Sequence, residues 1–193
     1  MRSRFIVLLG SLQVFLFAGS LQAATGYVGT EGCKCHKAEI ADWERSGHGK
    51  AFDLLKPGKK KSKKKKAGLD PDKDYTRDEK CLKCHVTGLG QEGGFRDFAS
   101  TPAMAGVGCE SCHGPGSEYR ILHKEKTTAF TREEAKALGE TYGSVDATVC
   151  ETCHVNKDNP FTAELDKKYK FDHGAALKEN REFHDYYELE GKH

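Results

Sequence analysis

The 193-residue sequence predicts a mainly α, loop-rich fold whose core is only partly polypeptide. Three observations lead there. Short runs of helix-forming residues are separated by turns drawn from 21 glycines and 5 prolines. Hydrophobic residues make up 37% of the chain, with one tryptophan, Trp43, which is poor material for a self-sufficient core. All eight cysteines fall into four short stretches that each end on histidine: Cys33-Lys34-Cys35-His36, Cys81-Leu82-Lys83-Cys84-His85, Cys109-Glu110-Ser111-Cys112-His113 and Cys150-Glu151-Thr152-Cys153-His154.

Those stretches decide the cofactor. In Cys-x-x-Cys-His, two thiols add across the vinyl groups of a haem and the adjoining imidazole takes an axial position on the iron. Structural disulfides would suit eight cysteines in an exported chain, yet sulfur pairing imposes no histidine at a constant offset. Two zinc ions would also use eight thiols, but structural zinc closes at four ligands and the histidines would be surplus. Four covalently bound c-type haems are therefore expected, on Cys33, Cys35, Cys81, Cys84, Cys109, Cys112, Cys150 and Cys153. At about 40 residues each they would form much of the core, and the chain without them is not expected to fold stably.

The elements follow in order. Arg2 and Arg4 precede an apolar run from Phe5 to Ala18, and Ser20-Leu21-Gln22-Ala23-Ala24 supplies small residues for cleavage. Residues 1–23 are read as a signal peptide and 24–193 as one cytochrome domain, exported to the periplasm or beyond it to the extracellular side. The run is broken by Gly10, Ser11 and Gln13, so no integral span is expected in the mature chain. Removing Arg2 and Arg4 from the 31 basic residues leaves 29 against 29 acidic ones, and the balance makes no case for nucleic acid.

After His36, residues 37–45 carry Ile40 and Trp43 on one helical side. His48 follows a Ser46-Gly47 break; on one helix it would lie about 18 Å from His36, too far to share an iron with it. Lys59 to Lys66 holds seven lysines in eight positions, a solvated loop that offsets haem propionates or docks an acidic redox partner; it has no interleaved aromatics to favour nucleic acid. Gly88, Gly90, Gly93 and Gly94 follow the second motif, either to let backbone approach a haem edge or as a loose loop.

Beyond the third motif, residues 117–126 suit a helix carrying His123, ten positions from His113. A second helix has Thr131 as N-cap, Glu134 closing a capping box and Gly139 as stop. After the fourth motif comes a turn at Asn159-Pro160, then a helix over 174–189 with Asp172 as N-cap and His184 on its packed side. Counting ligands, His36, His85, His113 and His154 are proximal and His48, His123 and His184 distal, which leaves one iron short. A six-coordinate bis-histidine iron does outer-sphere electron transfer, whereas a five-coordinate one binds a small molecule.

The chain resembles the tetrahaem cytochrome c-554 family through Cys33-x-Cys-His with Trp43 and Ser46-Gly-His48, through Leu69-Asp-Pro-x-Lys-Asp-Tyr75, through Gly106-Val-Gly-Cys-Glu-Ser-Cys-His-Gly-Pro-Gly116, and through Phe183-His-x-x-Tyr187. The resemblance implies closely packed haem pairs and an electron carrier that, in ammonia oxidisers, takes electrons from hydroxylamine oxidoreductase. It implies His36 paired with His123, His113 with His184 and His154 with His48, and a haem on His85 without a distal ligand unless His173 closes it. The shortened first motif keeps Cys35 and His36 in register and leaves the thioether to Cys33 open. An electron carrier rather than an enzyme is the expectation. Reduction of nitric oxide or a similar molecule at the His85 haem, and self-association into an extracellular cytochrome filament, are the competing readings.

Overall fold

A computed structural model describes residues 25–125 and 130–179. Residues 1–23 and His184 lie outside the described residues, as does the expected helix beyond Glu179; for His123 only the helical backbone is described. The described residues are mainly helical, with a lone antiparallel bridge between Val86 and Ala105 and no strand. The helical segments are α1 (Gly29–Gly32), α2 (Lys37–Arg45), α3 (Lys61–Lys66), α4 (Glu79–His85), α5 (Cys109–His113), α6 (Tyr119–Glu125), α7 (Arg132–Ala137), α8 (Ala147–His154) and α9 (His173–Glu179), with 3₁₀ turns at Phe52–Leu55, Pro102–Met104 and Lys167–Tyr169.

Local chemistry sets these boundaries. Asp78 and Asp146 cap α4 and α8 by accepting the N–H of Lys80 and Thr148. Thr131 and Glu134 close the expected capping box on α7, and Ala135 is fully buried beneath it. Asp172 caps α9 as read, its carboxylate accepting the Ala175 N–H at 2.8 Å.

The polypeptide core lies around the second motif. Phe52, Leu55, Tyr75, Leu82, Val86, Phe95 and Met104 form one buried cluster, with Phe52 against Phe95 at 5.6 Å between ring centroids. Elsewhere the chain buries little. No residue of α2 is buried, and none is from Gly143 through Glu179, although that stretch is built of capped helices and defined turns. Burial of apolar area is what holds such short helices. Among the described residues no apolar partner for them is found.

The lysine run corrects the loop expected there: Lys61–Lys66 is helical. Lys64 is buried at 5% exposure; its Nζ donates to the Lys56 carbonyl at 2.9 Å and lies 5.1 Å from the centre of the Tyr75 ring. Lys61 pairs with Asp72 at 2.7 Å and Lys66 with Asp166 at 2.9 Å. Anchoring one ammonium and pairing two more offsets enough repulsion for a helical turn to form.

Hydrogen bonds from Lys168 and Lys66 hold the Asp166 carboxyl far below the usual carboxylate range. The folded value lies below the unfolded one, so this tether contributes fully above the unfolded value of about 3.9 and is lost as pH falls through the folded value. Protection from hydrogen exchange across Lys61–Lys66, taken relative to the intrinsic rate at each pH, is expected to fall on acidification below about pH 4. An Asp166→Asn variant should lose that part of the pH dependence.

The glycine-rich stretch is not the loose loop that was one of its two expected forms. Tyr27 donates its N–H to the Glu92 carbonyl at 2.9 Å, and a Cβ on Gly93, whose φ is +70°, would stand 2.1 Å from the Tyr27 carbonyl oxygen. A Cβ on Gly94 would stand 1.8 Å from the Gly88 carbonyl oxygen. The close approach these glycines permit is of backbone to backbone. Gly94→Ala is expected to destabilise the protein by about 3 kcal/mol or more, read from the denaturant midpoint, because the obstacle is main chain that cannot rotate away.

Candidate functional site

Each complete motif is the C-terminal part of a short helix that ends on its histidine: α4 on His85, α5 on His113 and α8 on His154. Three residues apart on a helix, the two thiols share one face and the imidazole follows at the helix end. The first motif lacks one residue and is not helical. It occupies the turn between α1 and α2, with His36 as the N-cap residue of α2 and Cys35 exposed. The missing residue thus has a structural counterpart, a missing helical turn.

The four motifs converge. The Cys33 thiol lies beside that of Cys109, bringing the first and third together, and the Cys84 thiol beside that of Cys153, bringing the second and fourth together, close enough for each pair to perturb its partner's ionisation. Lys83 strengthens the second pairing through its Nζ, which donates to Asn156 Oδ1 at 3.0 Å and pairs with Asp158. All eight cysteines are free thiols. Interaction with the Cys153 thiol lowers Cys84 to about 7 and raises its partner, while burial pushes Cys112 up to about 11. These values belong to the thiol form of the chain, before any thioether is made.

Main-chain bonds hold the histidines. The His85 carbonyl accepts the Gly106 N–H at 3.1 Å and the His48 carbonyl accepts the Val107 N–H at 3.0 Å, so adjacent residues ahead of the third motif grip both. The indole of Trp43 donates to the Val107 carbonyl at 2.7 Å, drawing α2 onto the same strip. His85 Nδ1 donates to the Ala51 carbonyl at 2.6 Å, which fixes the tautomer and leaves Nε2 as the nitrogen able to bind a metal. Burial lowers the His85 pKa and favours that neutral, ligating form.

His48 and His154 come together, their ring centroids 6.0 Å apart and planes at 77°. His154 is also stacked with Phe171, their ring centroids 4.4 Å apart. His113 Nδ1 stands 3.8 Å from Glu140 Oε1, with Tyr142 edge-on at 6.1 Å. His173 Nε2 donates to the Gly143 carbonyl at 2.8 Å, which places it beside the third and fourth motifs through the neighbours of Gly143, Cys112 and Val149.

Two residues that sequence reasoning passed over organise this region. Glu110, inside the third motif and 2% exposed, accepts the N–H groups of Val28, Gly29 and Gly116. Thr87 accepts the Gly108 N–H at 2.8 Å and donates to the Gly106 carbonyl at 2.9 Å, tying the end of the second motif to the start of the third. An acid between two motif cysteines was the available signal for Glu110. Nothing in the sequence singled out Thr87.

Whether this donor set fits haem can be tested on its geometry. Two imidazoles on opposite sides of one metal ion, with bonds of about 2 Å each, have ring centroids roughly 6 Å apart. His48 and His154 meet that separation. A Cys₄ or Cys₃His zinc site needs several donors on one point, and among the described residues no three His, Cys, Asp or Glu side chains converge. Short helices that bury little apolar area, thiol pairs on helical faces and a histidine pair at that separation fit c-type haem.

Such an arrangement defines a multihaem c-type cytochrome. A family model described as cytochrome c554 and c-prime matches residues 32–114. Cytochrome c-554 of Nitrosomonas europaea is 39% identical over 191 residues, spanning 89% of this chain and 80% of that protein. The structure of reduced cytochrome c554 from the same organism superposes with a TM-score of 0.75 at 37% identity, covering 86% of this chain and 88% of the other. The chain belongs to the cytochrome c554 family.

Proposed function

We propose that the protein is a periplasmic tetrahaem electron carrier, exported by residues 1–23. When bound, each haem supplies a one-electron iron couple. The chain's part is attachment, ligation and spacing. Cys81 and Cys84, Cys109 and Cys112, and Cys150 and Cys153 hold three groups by paired thioethers; Cys35, with Cys33 beside it, holds the first. His36, His85, His113 and His154 are the proximal ligands, and His123, His184 and His48 are distal to His36, His113 and His154.

The observation that carries this reading is the His48–His154 pair at 6.0 Å, drawn from segments a hundred residues apart. The cross-motif thiol interactions support it, because they bring the first motif beside the third and the second beside the fourth, as closely packed haems would need. The lysine run is the proposed docking surface for redox partners.

Small-molecule reduction at His85 is the second reading, and the position of His173 favours keeping it. That residue is engaged at Gly143 beside the third and fourth motifs, which supports a reading in which it is not the distal ligand at His85.

Pyridine haemochrome and intact mass on the exported protein test the main reading. Four haems with one high-spin iron are expected. A colourless, zinc-containing protein would overturn it, and a reduced spectrum indifferent to carbon monoxide would remove the second reading.

A further inference from the structure

The surface that leads in to His85 carries an exposed aromatic side chain with a lysine over it and a lysine-rich helix beside it. Phe98 is 53% exposed and stacks on buried Phe52, with centroids 5.2 Å apart and planes at 11°. Lys56 Nζ lies 5.5 Å from the Phe98 ring centre and 5.9 Å from that of Phe52. From Lys56 the patch continues into the lysine helix, since the Lys56 carbonyl accepts from Lys64 Nζ and from the Lys59 N–H. Lys59, Lys60, Lys63 and Lys65 are exposed, and among the described residues none of them has an acidic partner within salt-bridge distance.

Two features mark this surface as more than a solvated face. An exposed aromatic stacked on a core ring, with a cation over it and unpaired lysines on the adjoining helix, joins an apolar contact group to a one-signed charge field of the kind that steers an acidic partner. Lys60 is the one described residue other than glycine with positive φ, at 48°. A side chain with a Cβ is strained there, so a charge is kept where glycine would fit with less cost.

The patch is also joined to the site. Phe52 follows Ala51 directly, and the Ala51 carbonyl accepts from His85 Nδ1 at 2.6 Å. Phe98, Phe52 and the Ala51 peptide therefore form one contiguous run of packed groups from solvent to the His85 ring.

We propose that this surface, Phe98 and Lys56 continuing into Lys59, Lys60, Lys63 and Lys65, docks a redox protein that presents an acidic face beside an apolar contact, and that electrons cross this protein's boundary at the second motif. One electron passes per encounter, with one partner oxidised as the other is reduced. The inference rests on the electron-carrier reading, and it adds the port and the chemistry of the partner.

The test uses the haem-loaded full-length protein and, as probe, an acidic flavodoxin in its semiquinone and hydroquinone forms. Calorimetric binding is measured against ionic strength, and stopped-flow reduction against the same series. Lys59→Glu/Lys63→Glu is expected to slow association about tenfold at low salt and flatten its salt dependence. Phe98→Ala is expected to weaken binding about tenfold while keeping that salt dependence. Lys178→Glu, on α9, should change neither. Carbodiimide cross-links should map to Lys56 and Lys59 through Lys65, and the high-spin signal should be the first to change on reduction. Unaltered binding and rates in both patch variants, or cross-links concentrated elsewhere, would overturn the proposal. Haem content and visible spectra of the same variants report separately on the carrier reading, because none of these side chains is placed as a ligand.

Discussion

Replacing His48 with alanine is expected to leave four haems attached and convert one low-spin iron to a high-spin, carbon-monoxide-binding one. The His48 ring is 6.0 Å from His154, but its backbone is held independently of the ring. The carbonyl accepts from Val107 and Ala51, and the preceding turn is closed by Ser46 Oγ, which accepts the Gly49 N–H at 3.0 Å. Loss of the imidazole therefore removes a ligand without releasing the loop. His154 stays in place through α8 and its stack on Phe171. Electron paramagnetic resonance and the carbon monoxide difference spectrum should each change by one iron equivalent in four. Added imidazole should restore the low-spin signal, which repair of a merely structural defect would not do. An unchanged spin-state count would separate His48 from the fourth site and remove the main support for the ligand scheme.

Much of this organisation was legible in the chain because it depends on local chemistry. The Cys-x-x-Cys-His spacing, the Thr131/Glu134 capping box and the Asp172 cap are short-range patterns, and the two caps appear in the fold with the expected geometry. The convergence of motifs was not legible, because it is made by carbonyl and amide contacts that any residue type supplies. Gly106 and Val107 grip His85 and His48 through main chain alone. The lysine run misled for a different reason. Like charges at close spacing argue against a helix unless partners distant in sequence pair with them, and Asp72 and Asp166 do so here. The glycines after the second motif were ambiguous because what approaches a glycine is not written beside it. Tyr27 lies more than sixty positions away.

Glu110→Ala is expected to destabilise the haem-loaded protein by about 4 kcal/mol, a large share of the 5–15 kcal/mol typical of a folded domain. The carboxylate accepts from Val28 at 2.9 and 3.1 Å, Gly29 at 2.7 Å and Gly116 at 2.7 Å, while being 2% exposed. Hydrogen bonds to a charged acceptor contribute about 1.5–3 kcal/mol each, and buried donors left without one cost about 1–3 kcal/mol apiece. Water entering the gap would recover part of that, which keeps the expected total below the sum. Glu110→Gln retains one carbonyl oxygen on the same stem and should lose about half as much, since it can still serve part of the donor set. The consequence reaches the first motif. The 26–29 segment is tied to the third motif by Glu110 and by the Gly26–Ser117 bonds, and it leads directly into the turn that holds Cys33 against Cys109. The alanine variant should therefore show a lower denaturant midpoint together with reduced haem content confined to the first site, seen by peptide mapping. A midpoint equal to the parent's would mean the clamp contributes nothing. A lower midpoint with full loading of the first site would confine its role to stability and leave the register of Cys33 to α2 and Trp43.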